Sequence, residues 1–186
     1  MADYELWGLA VSRNDIKKWY NMYHDENSVN IKDLCVVWGE NISSGIYEKM
    51  KFKNGEFTCY GDWGNANKEE IQKFKNNNIS NNHLIASQED VQEIIREVRI
   101  GDQIHPKGML SSYGKKGISE AYYRGSSLSR DDMGDGACET VFVEKIEILK
   151  RGMEFWYKTK DFVLYCFFVL IILKLALFIY EGFSAG

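Results

Sequence analysis

The sequence has a single proline among its 186 residues, and its few histidines and cysteines follow no metal-ligand pattern. With so little proline, long strands and helices can run without the breaks that its ring imposes. None of the four cysteines forms a C-x-x-C pair, which excludes the common zinc and dithiol motifs. The N-terminal segment has neither a basic stretch nor a long apolar stretch, so it predicts no signal peptide. We therefore expect no resident metal and no cofactor.

The chain also lacks an excess of positive charge, since 23 lysines and arginines face 27 aspartates and glutamates. Surfaces that bind nucleic acid are usually basic, so we expect no nucleic-acid partner. Three cysteines precede the apolar C-terminal stretch: Cys35, Cys59 and Cys138. An odd number favours free, mostly buried thiols in a reducing compartment. The alternative is an exported domain with one disulfide bridge.

What the sequence does have is one long apolar stretch near its C-terminal end. Residues 162–180 are apolar throughout except for Lys174, and about 20 apolar residues suffice to cross a hydrocarbon core of about 30 Å. A helix that is apolar on every face favours a membrane span over the core helix of a soluble protein. We predict a transmembrane helix at residues 161–181, after a juxtamembrane linker at 151–160 and before a short tail at 182–186.

Basic residues lie on only one side of the predicted span. The segment before it carries Lys145, Lys150, Arg151, Lys158 and Lys160, whereas the residues after position 180 include no lysine or arginine. Flanking segments rich in lysine and arginine tend to stay in the cytoplasm. We therefore expect a tail-anchored, single-pass membrane protein with its head in the cytoplasm and its C-terminus on the opposite side.

The preceding residues, 1–150, are expected to form one soluble head of the α+β class that is mainly β. Short β-branched and aromatic runs predict strands, and the Asn-Gly pair at 54–55 between two such runs predicts a hairpin. Apolar residues at helical spacing predict a short amphipathic helix at 89–98. The asparagine-rich tract at 76–82 is interpreted as a polar loop. Alternation at 140–149 predicts a last strand that leads into the membrane segment.

Two stretches of the head resemble part of a known small barrel. The first runs from Gly101-Asp102-Gln103-Ile104 to Gly108-Met109-Leu110, and the second from Val141-Phe142-Val143 to Ile148-Leu149. Together they resemble the later strands of an OB-fold-like barrel over residues 100–150, with Pro106 as a departure. The resemblance implies a small OB-like barrel or a curved antiparallel sheet with one or two short helices. Such barrels bind many kinds of ligand, so the fold alone does not decide the function.

The most polar stretch of the head lies between residues 124 and 139. Its charged members are candidates for a ligand or metal loop: Arg124, Arg130, Asp131, Asp132, Asp135 and Glu139. Carboxylates among glycines could bind a hard cation, and a neighbouring arginine could stabilise phosphoryl charge, as in a metal-dependent hydrolase. The spacing differs from that of a calcium loop, which favours a plain hairpin loop in which Arg124 and Arg130 pair with the aspartates.

Lys174 is the one charged residue within the apolar stretch. A charge near the centre of a span costs about 2.5–3.5 kcal/mol on insertion scales. The side chain could extend toward the interface near Tyr180, with its stem in the hydrocarbon. Alternatively, a partner helix could supply a carboxylate or a carbonyl, which would make Lys174 a partner-binding residue.

These features predict a non-enzymatic accessory subunit of a membrane protein assembly. Its head would bind another protein, and its C-terminal helix would contact the lipid bilayer and integral membrane proteins. Two other functions remain open: a membrane-anchored sensor or effector whose barrel binds a small ligand such as a nucleotide, and a metal-dependent hydrolase that uses the loop at 130–139. A pocket in the barrel would favour the sensor, and carboxylates converging on an open cavity would favour the hydrolase.

Overall fold

The computed structural model describes residues 2–16, 28–55, 58–114, 125–131 and 138–184. The chain divides into two compact units, Met1–Gly152 and Met153–Gly186. The strands are β1 (Ala2–Glu5), β2 (Gly8–Asp15), β3 (Lys32–Val37), β4 (Lys51–Asn54), β5 (Cys59–Asp62), β6 (Ile79–Ile85), β7 (Gln103–Leu110) and β8 (Glu139–Lys150). The helices are α1 (Glu40–Ser43), α2 (Lys68–Ile71), α3 (Glu89–Glu97) and α4 (Glu154–Ser184), with 3₁₀ turns at Ile46–Lys49 and Asn76–Asn78.

Five of these strands close into a mixed barrel. Its strand order is β7, β2, β3, β6 and β8, and the pairing of β8 with β7 closes the ring. Neighbouring strands are antiparallel except for β6 and β8, which run parallel. β1 extends the line of β2 along β7, and β4 and β5 form a separate hairpin. The prediction of a mainly β fold with few helices is confirmed, and so is the hairpin.

The apolar interior of the barrel is covered at one end by α3. The core includes Leu34, Val36, Leu84, Ile104, Val141, Val143 and Ile146 from the strands. Val91 and Ile95 of α3 join this core because they lie about one turn apart on the same face of the helix. The helix predicted at 89–98 is confirmed, and its N-cap is Gln88, which makes no side-chain hydrogen bond to the helix.

A buried lysine ties α3 to the barrel. Lys32 at the start of β3 is only 1% exposed, and its Nζ lies 3.2 Å from Oδ1 of Asp15. The same ammonium group donates to the carbonyl oxygens of Arg96 and Val98, the second at 3.0 Å. Carbonyls in the last turn of a helix have no partner within the helix, so the lysine satisfies them from outside.

At the same end of the barrel, Asp102 binds the residues that directly follow β8. Its buried carboxylate accepts hydrogen bonds from Nη1 of Arg151 at 3.0 Å and from the backbone N–H of Gly152 at 2.9 Å. A Cβ at position 152 would lie 1.9 Å from the carbonyl oxygen of Gly101, so a glycine is required there. The last residues before α4 are therefore bonded firmly to the barrel.

The interpretation of residues 76–82 as a polar loop is wrong. From Ile79 onward the tract forms β6, which lies between β3 and β8 in the barrel. Asn81 and Asn82 are buried, and both amides make side-chain hydrogen bonds. Asparagine has a low propensity for strands, but hydrogen-bonded partners remove the cost of burying its amide.

Pro106 does not lie at an edge of the sheet. It stands opposite Ile146 in β8, and its carbonyl accepts a hydrogen bond from the backbone N–H of Leu6 at 3.2 Å on the other side. A register irregularity between Lys107 and Gly108 follows it. The proline is therefore accommodated next to a bulge, which is the other position that a missing N–H allows.

Cys35 and Cys59 form a disulfide, with 5.7 Å between their Cα atoms. The bridge joins β3 to β5, so it fastens the hairpin to the outer face of the barrel. The sequence predicted free thiols, whereas in the structure this pair is bridged, because the hairpin brings residues that are 24 positions apart into contact. Neither Cys138 nor Cys166 takes part in a disulfide bond among the described residues.

α4 contains the predicted span. Its apolar part, Glu154–Tyr180, has 27 residues and a mean hydropathy of 2.8 in its most apolar window, none of which is buried. At about 1.5 Å per residue it is longer than the roughly 30 Å of a hydrocarbon core. By length and composition, this helix could cross a membrane.

Candidate functional site

Polar side chains occupy the end of the barrel interior opposite α3. Residues two apart in a strand share a face, so Ser80 and Asn82 lie on the same face of β6 as the core residue Leu84. By the same alternation, Glu139 lies on the face of β8 that carries the core residue Val141. The barrel interior therefore changes from apolar to polar along its length.

Tyr4 and Asn82 form the inner layer of this polar end. The Tyr4 hydroxyl donates to Oδ1 of Asn82 at 2.6 Å, and Nδ2 of Asn82 donates to Oγ of Ser80 at 3.0 Å and to the carbonyl of Leu34 at 3.3 Å. Burial, with a smaller contribution from the charge of Glu139, raises the pKa of Tyr4 well above its ordinary value. The phenol therefore stays protonated and acts as a donor.

Arg130 and Glu139 form the outer layer. Nη1 of Arg130 donates to Oε1 of Glu139. The guanidinium carbon of Arg130 lies 4.9 Å from the ring centroid of Trp38 and 5.6 Å from that of Tyr4, so the cation faces two aromatic rings. Contacts of this kind contribute about 0.5–2 kcal/mol, depending on solvation. They hold Arg130 in place across the open end of the barrel.

Glu139 is a buried carboxylate with one unused acceptor. It is 3% exposed, and among the described residues no hydrogen-bond donor reaches its Oε2 atom. Burial raises the pKa of Glu139 from an ordinary 4.5 to about 7, against the opposing effects of the Arg130 guanidinium, of hydrogen bonds from the Ser80 side chain and from its own backbone N–H, and of His83. Its carboxyl group therefore changes charge close to neutral pH.

A cavity of about 220 Å³ opens at this position. Its wall consists of residues 2–5 from β1, Leu110 at the end of β7, residues 127–130, and Glu139. Mouths of β-barrels are among the preferred places for ligand sites. Glu139 is therefore one of the residues that a ligand in this cavity would contact.

The segment at 125–131 is fixed against the start of β8, which explains why Arg130 has a defined position. The backbone N–H of Ser127 donates to the carbonyl of Cys138 at 3.0 Å, and Oγ1 of Thr140 donates to the carbonyl of Gly125 at 3.0 Å. Within the segment, the Ser129 N–H donates to Oγ of Ser127 at 3.0 Å. The loop that carries Arg130 is therefore hydrogen-bonded to Cys138 and Thr140, the residues on either side of Glu139.

A second buried pair lies on the outer face of the same sheet. Oδ1 of Asp33 is 2.6 Å from Nδ1 of His83 and accepts a hydrogen bond from Nδ2 of Asn30 at 2.7 Å. Asp33 alternates with the core residue Leu34, so this pair points away from the barrel interior. It does not line the cavity.

The structure brings two of the predicted loop residues together and separates a third from them. Among the described residues, the ion-pair partner of Arg130 is Glu139, and the pairing with aspartates that the hairpin interpretation expected stays a prediction. Asp131 is exposed and does not line the cavity. Arg124, Asp132 and Asp135 lie outside the described residues. Within the part of the chain that the structure describes, no group of three His, Cys, Asp or Glu side chains could hold a metal.

Sequence reasoning missed the residues that complete the site from other strands. Tyr4, Trp38, Ser80 and Asn82 come from three separate parts of the chain. The one signal in the sequence was the polar run from 80 to 83 between apolar residues, which is unusual for a buried strand. Tyr4 and Trp38 gave no signal beyond their aromatic character.

Lys174 lies in the apolar part of α4. Its side chain is exposed, as are those of its neighbours in the helix. The structure places it about 9 Å along the helix from Tyr180, given a rise of about 1.5 Å per residue.

No protein-family model, curated protein or solved structure matches this chain, so its function is inferred from the geometry of the barrel and of the helix.

Proposed function

We propose that the protein is a single-pass membrane protein, with a non-enzymatic binding head, that acts as an accessory subunit of a membrane assembly. Lys174 carries this proposal, because it is the one charged residue in an apolar stretch of 19 residues, 162–180. An unpaired charge in hydrocarbon costs about 2.5–3.5 kcal/mol, and a carboxylate or carbonyl of a partner helix would offset that cost. Exposed aromatic residues on the head, Trp7 and Tyr60, are of the kind enriched in protein interfaces.

The test is the change Lys174→Leu in the full chain. It makes the span more hydrophobic, so the protein should insert at least as well as the wild type. It also leaves the partner group without a counter-charge, so membrane proteins that co-purify in mild detergent should be lost. The measurement is the recovery of partners by mass spectrometry at matched expression.

The matched control is Lys160→Leu, the same substitution before the apolar stretch. It should insert and keep its partners, because Lys160 lies where a lysine side chain can reach water. Equal recovery of partners from the Lys174→Leu variant would mean that Lys174 only extends toward the interface, and it would remove the basis of the proposal.

We further propose that the head faces the cytoplasm. Five basic residues lie within ten positions of Glu154 (Lys145, Lys150, Arg151, Lys158 and Lys160), and residues 181–186 contain no lysine or arginine. The Cys35–Cys59 disulfide points the other way, since disulfides persist mainly in oxidising compartments. We give the flanking charges more weight. They act when the helix inserts, whereas a disulfide forms after folding and can be reduced.

Thiol trapping tests this orientation. In cells quenched with acid and alkylated at once, we expect Cys35 and Cys59 of the membrane-bound protein to react as free thiols after denaturation. After purification in air, the pair should be protected until a reductant is added. A Cys35→Ser/Cys59→Ser variant identifies the gel shift that belongs to this pair. Protection of both cysteines in the quenched cells would place the head in an oxidising compartment.

The finer description of the barrel as OB-like is also a proposal. It is supported by the cyclic strand order, by the single parallel pair β6–β8, and by the position of α3 between the third and fourth barrel strands. A five-stranded Greek-key barrel of this kind presents its binding surfaces on one face and in its loops. The likeness concerns the fold alone and does not select a ligand.

A second candidate function is a membrane-anchored sensor or effector that binds a small ligand in its head. The observation that favours it is the cavity at Glu139, with its unused buried acceptor. A ligand there would alter the contact between Arg130 and Trp38, and a change in tryptophan fluorescence would report it. For the metal-dependent hydrolase, none of the contacts among the described residues adds support.

A further inference from the structure

We propose that the polar end of the barrel is a binding pocket for an ammonium or guanidinium group, which donates to Oε2 of Glu139 inside the cavity. The group could belong to a free small amine or to a basic side chain of a partner protein. This proposal deepens the second candidate function, and it does not depend on whether α4 binds a partner through Lys174.

The first argument is the unused acceptor. Glu139 is buried and lines the cavity, yet no donor among the described residues meets its Oε2 atom. A buried polar atom without a partner costs free energy, and hydrogen bonds between charged groups are the strongest available. A ligand with N–H donors would satisfy this atom, and a positive charge would strengthen the bond.

The second argument is the sign of the surrounding charge. The wall of the cavity contains the carboxylates of Asp3, Glu5 and Glu139 and one cation, Arg130. Glu5 is matched by Lys107, whose Nζ lies 2.6 Å from Oε1, and Arg130 is matched by Glu139. The remaining balance is negative. A cationic ligand improves it, whereas a phosphate or carboxylate would meet repulsion.

The third argument is size. A volume of about 220 Å³ is below the range of roughly 300–1,000 Å³ that is usual for pockets that enclose whole drug-sized ligands. A nucleotide is too large for it. A single planar or tetrahedral nitrogen head group fits, with the rest of the ligand extending into solvent.

The fourth argument is that the site already binds such a group. The guanidinium of Arg130 lies against Trp38 and Tyr4 and bonds one oxygen of Glu139. The second oxygen of the same carboxylate has no donor among the described residues, and Glu139 lines the cavity together with Tyr4. An aromatic ring and a buried carboxylate are the two elements that recognise an organic cation.

The experiment uses the full chain in detergent micelles at pH 8, where Glu139 is mostly ionised because its pKa is about 7. The probes are n-butylguanidinium and n-butylammonium chloride, with n-butanol, sodium butyrate and AMP at matched ionic strength. We expect saturable calorimetric binding of the two cations only. The change Glu139→Gln should weaken their binding by about tenfold or more, as the loss of a charged hydrogen bond does.

The matched control is Glu147→Gln, which removes an exposed carboxylate from the same strand and should leave the affinity unchanged. A second variant guards against misfolding of Glu139→Gln. In Arg130→Ala, Glu139 loses its cation, and n-butylguanidinium should raise the melting temperature of this variant more than that of the wild type. Guanidinium rescue of this kind needs a vacant place beside Glu139 and does not follow from general stabilisation.

One further probe distinguishes the source of the cation. The peptide Gly-Gly-Arg-Gly-Gly should bind more tightly than n-butylguanidinium if the natural ligand is a basic side chain, and no more tightly if it is a free amine. Equal binding of the cations by wild type and Glu139→Gln, or a preference for butyrate or AMP, would overturn the proposal. Failure of the cations to bind would leave the accessory-subunit proposal standing, because that proposal is tested by the recovery of partners with the Lys174→Leu variant.

Discussion

Replacement of Lys32 by methionine is expected to lower the free energy of unfolding of the head by about 3–5 kcal/mol. Lys32 is buried, and its ammonium group contacts Asp15, which also pairs with Arg13, and two carbonyls at the end of α3. Methionine fills a similar volume but leaves these acceptors without the cation. The measurement is denaturant unfolding of the full chain in detergent, followed by near-ultraviolet circular dichroism.

The control is Lys145→Met, the same substitution at an exposed ion pair. Nζ of Lys145 lies 2.6 Å from Oε1 of Glu147, but its side chain is 64% exposed, so the loss should be at most about 1 kcal/mol. Adding Asp15→Asn to Lys32→Met should recover the part of the loss that comes from the charge of Asp15, and not the part that comes from the carbonyls. Similar losses for the two lysines would contradict the role assigned to burial.

The free energy of unfolding of the wild-type head is expected to fall between pH 5 and pH 8, and Glu139→Gln is expected to remove most of that fall. The pKa of Glu139 in the folded head is about 7, above its ordinary 4.5, so the folded form holds the proton more tightly. This tighter proton binding contributes to the free energy of unfolding. The contribution is complete below about pH 4.5 and is lost as the pH rises through 7. A change of one in pKa corresponds to about 1.4 kcal/mol, so the difference should be on the order of 3 kcal/mol.

The comparison variant is Glu147→Gln. In the wild type, the ion pair with Lys145 is the main cause that holds the pKa of Glu147 below its ordinary range. The stability that the Glu147 carboxylate contributes is present above its ordinary pKa and is lost only in more acidic solution. Between pH 5 and pH 8, the free energy of unfolding of this variant should therefore change with pH as that of the wild type does. Unfolding curves at several pH values provide the measurement. A constant difference between Glu139→Gln and wild type over this range would show that Glu139 is ionised throughout.

The spacing of apolar residues and the turn residues were sufficient to predict the strands and the helix whose pattern is local in sequence. The alternation at 140–149 predicted β8, the apolar spacing at 89–98 predicted α3, and the Asn-Gly pair predicted the β4–β5 hairpin. In each case the residues that decide the structure are close in sequence. The partial likeness to a small barrel over residues 100–150 was also in the right class, because β7 and β8 pair with each other.

The misses have the opposite character, since long-range contacts decide them. Asn81 and Asn82 look like loop residues, and only hydrogen bonds to Asn54, Tyr4 and other distant groups make their burial favourable. Cys35 and Cys59 meet because the hairpin folds back onto the barrel. Such contacts cannot be read from local periodicity.

The candidate site was half predictable for the same reason. Arg130 and Glu139 stood out as charges in one polar stretch, but their aromatic and amide partners come from strands remote in sequence. The sequence suggested aspartates as the partners of Arg130. The burial of Glu139, which makes its second oxygen an unused acceptor, follows only from its place on the inner face of β8.

The position of β8 also sets the order of events during synthesis. β2, β3 and β6 leave the ribosome first and can pair as a sheet, but the ring closes only when β8 joins β7 and forms its parallel pairs with β6, such as Asn82 with Glu139. Pairings between residues so far apart in sequence form slowly. Only Arg151, Gly152 and Met153 separate β8 from α4. The barrel therefore closes in the same interval in which α4, which could cross a membrane, leaves the ribosome, and until then the open edge of β6 is the surface that a chaperone would protect.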